Sequence, residues 1–121
     1  MDVAFQTLQQ INVENVEGVT VVTFRDQKII EDKMIREVGH ELLMLLEENI
    51  PKKLLLDFSG ILFISTTFLG WLMRLQKECA GKGFHLHFCS IIPGIYEVFE
   101  ITKLHRLFSI HPDRETALAA F

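Results

Sequence analysis

The sequence predicts an α/β fold: one domain built on a mixed, mostly parallel β-sheet of four or five strands, packed with about four α-helices. Three observations lead there. The 121 residues, 49% hydrophobic and 23% charged, have the size and balance of one globular core. Strand-like and helix-like periods alternate along the chain in the order ββαβαβαβα, which short connections turn into layers. Leu54-Leu55-Leu56-Asp57-Phe58 is a continuous apolar run closed by a polar turn, the signature of a central strand buried on both faces.

The elements follow in order. Val19 to Phe24 is β-branched and aromatic and follows Glu17-Gly18, so it pairs with Ile11 to Val16 as a hairpin. From Asp32 to about Asn49, Ile35, Val38, Leu42, Leu45 and Leu46 recur every three or four residues along one helical stripe, and Pro51 ends the helix. After Ile61 to Ile64, a helix of about four turns begins near Thr66. Its apolar positions are Phe68, Leu69, Leu72, Met73 and Leu75, and Gly81 and Gly83 stop it. Phe84 to Cys89 alternates Phe, Leu, Phe against His, His, Cys, a strand with two unlike faces. Pro93 fits the first turn of a third helix, with Ile95, Val98 and Phe99 on one side, that runs to about Ile101. Leu107 to Ile110 forms a last strand, and Asp113 caps a terminal helix containing Ala117, Leu118 and Phe121.

Charge and composition narrow the function. Twelve Lys and Arg against 16 Asp and Glu give a formal charge of -4, without the basic excess of a nucleic-acid binder. No apolar run approaches the roughly 18 residues that span a bilayer. Met1 to Gln6 shows no secretion signal, so the expected location is the cytoplasm. Cys79 and Cys89 read as buried free thiols. His85, His87 and Cys89 lie on one strand face at a spacing that could offer zinc ligands. They lack a fourth ligand, and the expectation is a packed face and no metal. No Gly-x-Ser-x-Gly elbow and no Gly-x-x-x-x-Gly-Lys phosphate loop occurs, so neither hydrolysis nor a nucleotide cofactor is expected of this chain.

Leu54-Leu55-Leu56-Asp57-Phe58 followed by Phe63-Ile64-Ser65-Thr66-Thr67-Phe68-Leu69-Gly70 resembles the core of a STAS domain, the sulphate transporter and anti-sigma factor antagonist family. Gly81-Lys82-Gly83-Phe84 and the segment from Ile92 to Leu104 are similar as well, with Phe99 to Leu104 matching the family's Phe-Asp/Glu-x-x-x-Leu. The resemblance covers nearly the whole chain and implies a free-standing bacterial anti-sigma factor antagonist that is not itself an enzyme. Its partner would be an anti-sigma factor serine/threonine kinase, with a phosphatase to reset the switch. In such antagonists the loop reads Asp-Ser-Ser/Thr-Gly-Leu-Gly, and the first hydroxyl after the Asp is phosphorylated. Thr66 holds that position here, with Ser65 and Thr67 as alternates. Ser65 stands where the family has Asp and Phe68 where it has the first Gly, while Leu69 and Gly70 agree.

The resemblance places the partner-binding surface at Ser65, Thr66, Thr67, Phe68, Leu69 and Gly70. It adds Lys28, where the family often has an acidic residue, and Asp26 two residues away. A hydroxyl at a helix start meets the positive end of the macrodipole, so the protein itself tolerates a phosphate there, whereas an apolar partner would have to desolvate it. A capping role alone is the competing reading of Ser65 or Thr66. Phe68 is either an exposed anchor for the partner or part of the core, and Trp71 poses the same choice. A STAS scaffold or accessory subunit of a sensory or membrane transport complex, working without phosphorylation, is the alternative function.

Overall fold

The computed structural model describes residues 8–48 and 52–121. The hairpin expected at the start is present: β1 (Ile11–Val16) pairs antiparallel with β2 (Val19–Phe24). Glu17 and Gly18 both adopt positive φ at its two-residue turn, the backbone that matches the right-handed twist of the strands. β4 (Lys53–Asp57) runs parallel between β2 and β6 (His85–Cys89), and β7 (Ser109–His111) closes the sheet in the order β1-β2-β4-β6-β7. Leu54, Leu55 and Leu56 are buried, as the continuous apolar run requires of a central strand.

Four helices lie among the described residues: α1 (Asp32–Glu47), α2 (Thr66–Lys82), α3 (Pro93–Ile101) and α4 (Arg114–Ala119). The expected stripe of α1 is buried throughout. It packs with Phe68, Leu69, Leu72 and Leu75 of α2 and Ile95 and Phe99 of α3 against one sheet face. The opposite face is smaller: Val19, Val21, Leu55 and Cys89 are covered by Ala117 of α4, with Leu118 and Phe121 alongside. Asp113 caps α4 as expected, accepting from the Thr116 amide at 2.7 Å.

Several expectations need correction. A second sheet, absent from the expected order, pairs the two-residue strands β3 (Lys28–Ile29) and β5 (Phe63–Ile64) in parallel. Helix α2 has 17 residues, longer than four turns; Gly81 is inside it, and Gly83 alone ends it in the left-handed conformation at φ 73°. Met73 faces outward. β7 begins two residues later than expected, because Leu104–Arg106 forms a 3-10 turn that leaves Leu107 exposed. Helix α1 reaches Glu47 with Glu48 as its C-cap, and the stop assigned to Pro51 lies outside the described residues, as does the amino-terminal segment.

Candidate functional site

The loop into α2 is built by the small sheet. Ser65 has extended backbone and donates its amide to the Ile29 carbonyl at 2.9 Å, which completes the β3–β5 register one residue further. The Gln27 carbonyl accepts from Leu62 and Phe63 at 2.8 and 3.2 Å. These bonds bring Lys28 beside Phe63, three residues before Thr66, and leave Asp26 on the far side of Gln27 from that helix start. Lys28 lies opposite Phe63 in register, its Nζ 5.5 Å from the ring centroid. Asp26 turns back on its own segment, its Oδ1 accepting from the Lys28 amide at 3.1 Å.

Ser65 is the N-cap of α2, its Oγ accepting from the Thr67 amide at 3.2 Å. Capping therefore belongs to Ser65. Thr66 occupies the first helical position and Thr67 the second, and both are exposed. No acidic residue stands in this first turn. The positive end of the helix macrodipole therefore meets no carboxylate from its own first turn.

Phe68 is completely buried, edge-on to Phe24 at 6.2 Å between centroids, and Leu69 is buried beside it. Of the two readings of Phe68, the core one holds, and Leu69, named with it in the expected partner surface, is also turned inward: positions 68, 69, 72 and 75 form the buried stripe of α2. The exposed apolar groups of this end are instead Ile30, Leu62 and Phe63. Gly70 is exposed with open space where a Cβ would stand, and it floors a shallow depression of about 210 Å³ with Thr67, Trp71 and Arg74. Trp71 is half-buried, so it fits neither extreme: its ring covers Gly39 of α1, and the Arg74 guanidinium lies 5.6 Å above it.

Away from this end, Asp57 is buried at the tip of β4. Burial pushes its carboxyl up, but the Ser59 amide at Oδ1 and the Arg114 guanidinium at 2.9 Å outweigh that and hold it below the ordinary value. Cys79 and Cys89 are free and buried, and burial pushes both thiols up to about 11, which leaves them protonated at neutral pH. Of the face weighed for metal, His85 is exposed, His87 half-buried and Cys89 buried. Among the described residues no group of three or more His, Cys, Asp or Glu converges as a metal site does.

The described residues thus form an α/β sandwich with exposed hydroxyls at Thr66 and Thr67 and exposed apolar side chains at Ile30, Leu62 and Phe63 beside the start of α2. The chain belongs to the STAS domain family, whose model matches residues 10–117. It is similar to BtrV of Bordetella bronchiseptica, named as a candidate anti-sigma factor antagonist, with 22% identity over 112 residues, 93% of this chain and 94% of that protein. The solved anti-sigma-factor antagonist (STAS) domain protein of Planctomyces limnophilus superposes with a TM-score of 0.80 at 24% identity, covering 91% of this chain and 95% of that one. Bacillus SpoIIAA, a cell fate determinant solved in its phosphorylated form, matches with a TM-score of 0.69 at 10% identity, covering 92% and 99%. The expected fold is thereby shown.

Two features of this site were not read from the sequence: the outward-facing Ile30, Leu62 and Phe63, and the contact of Gly39 with Trp71. Ile30, Leu62 and Phe63 were legible as an apolar excess beside the hydroxyl run, but two-residue strands are too short to show which side chains face out. The contact of Gly39 with Trp71 left no periodic signal.

Proposed function

We propose that this chain is a non-enzymatic anti-sigma factor antagonist whose unphosphorylated form binds an anti-sigma factor kinase, releases a sigma factor, and is switched off by phosphorylation at Thr66. The observation that carries the reading is an exposed Thr66 hydroxyl at the first position of a 17-residue helix, relieved of capping by Ser65. The exposed Ile30, Leu62 and Phe63 supply the apolar contact area. A phosphate on Thr66 adds about -1.5 to -2 charge at a helix end that stabilises it, so the protein stays folded while a partner's apolar surface is opposed. The nucleotide belongs to the partner, and a phosphatase restores binding. The fold shared with a SpoIIAA that exists in a phosphorylated form supports this mechanism.

Thr66→Ala and Thr66→Glu test it. Both stay folded by circular dichroism, since the cap is Ser65 and a carboxylate suits the first turn. In titration calorimetry against the anti-sigma factor, Thr66→Ala binds like the unmodified protein and resists modification by kinase and ATP, and Thr66→Glu binds more weakly. Equal affinity of the two folded variants refutes the charge switch and favours an unphosphorylated STAS scaffold.

A further inference from the structure

The sheet face under α4 carries a pair of histidines that the proposed switch does not use. His87 of β6 and His111 of β7 bring Nδ1 and Nε2 within 2.7 Å, and their rings stack with centroids 4.9 Å apart and planes 10° apart. Phe121, just beyond α4, lies over His87 with 4.2 Å between centroids. Both histidines are half-buried.

At this separation one ring nitrogen donates and the other accepts. The pair accommodates one added proton as N–H⁺···N, but a second sets two N–H groups and two positive charges against each other. Asp113, two residues after His111, is exposed and accepts from the Thr116 amide at 2.7 Å. His85, two residues before His87 on β6, is another titratable base, and Leu55 and Ser109, opposite His87 in register, carry no charge. Cys89, opposite His111, holds its proton because burial pushes its thiol up to about 11. On α4, Arg114 is committed to Asp57 and Glu14 at 2.9 and 2.7 Å, and Glu115 is exposed. Burial and then the neighbouring His111 and His85 hold the His87 imidazole below the ordinary histidine value.

We propose that the His87–His111 pair is a proton-operated latch that keeps α4 docked on the sheet when neutral or singly protonated and releases it when both rings are charged. Release uncovers Val19, Val21 and Leu55, the apolar face that Ala117, Leu118 and Phe121 cover. The α1, α2 and α3 layer lies on the other face and stays in place. Because unfastened α4 lets His87 regain an ordinary pKa, the docked state loses ground as pH falls below about 6.5.

Amide hydrogen exchange of the intact chain at about pH 7.5 and about pH 5.5, corrected for intrinsic rates, reads this opening. Protection of residues 114–119 falls several-fold at the lower pH, because the opened form takes up protons that the docked pair resists. Protection of β4 and α2 does not change. His111→Gln removes the second charge and weakens the pH dependence, leaving only what burial of His87 contributes, while His85→Gln, at an exposed position, retains most of it. Equal α4 protection at both pH values, or an undiminished response in His111→Gln, overturns the latch. If His111→Gln does not fold, the ring titrations of the wild-type chain by NMR decide. One ring protonating well below the other supports the latch, and two independent titrations near 6.5 refute it.

Discussion

The two buried carboxylates among the described residues, Asp57 and Glu41, are each bound to named partners whose loss can be measured. Asp57 accepts from the Ser59 amide and from Arg114, itself bridged to Glu14, so one carboxylate ties β4, β1 and α4 together. Asp57→Ala leaves the part-buried Ser59 N–H and the Arg114 Nε without their acceptor, while Arg114 keeps Glu14, and lowers stability by about 1–3 kcal/mol in urea unfolding. Its carboxyl lies below the ordinary range in the folded protein, so the unfolded chain takes up its proton first. The stabilisation is present above the unfolded value near 3.9 and is lost as pH falls through the lower folded value. Asp57→Asn, which keeps an oxygen for Ser59, flattens that acid limb. At the helix start the distinction is sharper still: Ser65→Ala removes the cap and costs about 0.5–2 kcal/mol, whereas Thr66→Ala costs within about 0.5 kcal/mol. Thermal unfolding of the two alanine variants separates cap from switch.

At the scale of elements, close approach and a single buried acid set the geometry. Gly39 lies where α1 meets the Trp71 ring of α2, and a Cβ at that position would fall within the ring's own space. Gly39→Ala therefore pushes the helices apart or turns the indole out, at a cost of about 1–3 kcal/mol despite alanine's better helix propensity. Trp71→Leu in the same chain recovers part of the loss, and a double-mutant cycle in denaturant measures how much. Glu41, on the buried side of α1, accepts from the Gln9, Gln10 and Ile11 amides at 2.9, 2.9 and 3.2 Å and so fixes where β1 begins. Its neighbours Leu42, Leu45 and Leu46 were legible as a stripe, but a glutamate among them carried no sign of its three backbone donors.

For the whole molecule, the two sheet faces divide the work. The larger face, under α1, α2 and α3, holds most of the core and carries the Thr66 end; the smaller, under α4, is closed by Ala117, Leu118, Phe121 and the histidine pair. No helix among the described residues is long and apolar enough to cross a membrane. His87 and His111 satisfy each other, and no third ligand converges on them among the described residues. Elemental analysis of the purified protein should therefore find zinc well below one per chain, and a chelator should leave the melting temperature unchanged. A stoichiometric zinc whose removal destabilises the fold would overturn that expectation.

Local patterns along the chain were enough for the main sheet, the four helices, the buried run of β4, the Asp113 cap and the family resemblance at the start of α2. These features depend on period, propensity and turn chemistry, which act between residues a few positions apart. Tertiary structure alone decided the rest. Phe68 became core because α2 rotates positions 68, 69, 72 and 75 inward, a choice that a row of hydroxyl and apolar residues leaves open until the helix has a sheet to lie on. Lys28 reached the Thr66 end through a two-residue strand pair, and His111 reached His87 through the β6–β7 register. Such contacts are fixed by strand order and by which face of the sheet each helix covers, and no interval in the sequence encodes either.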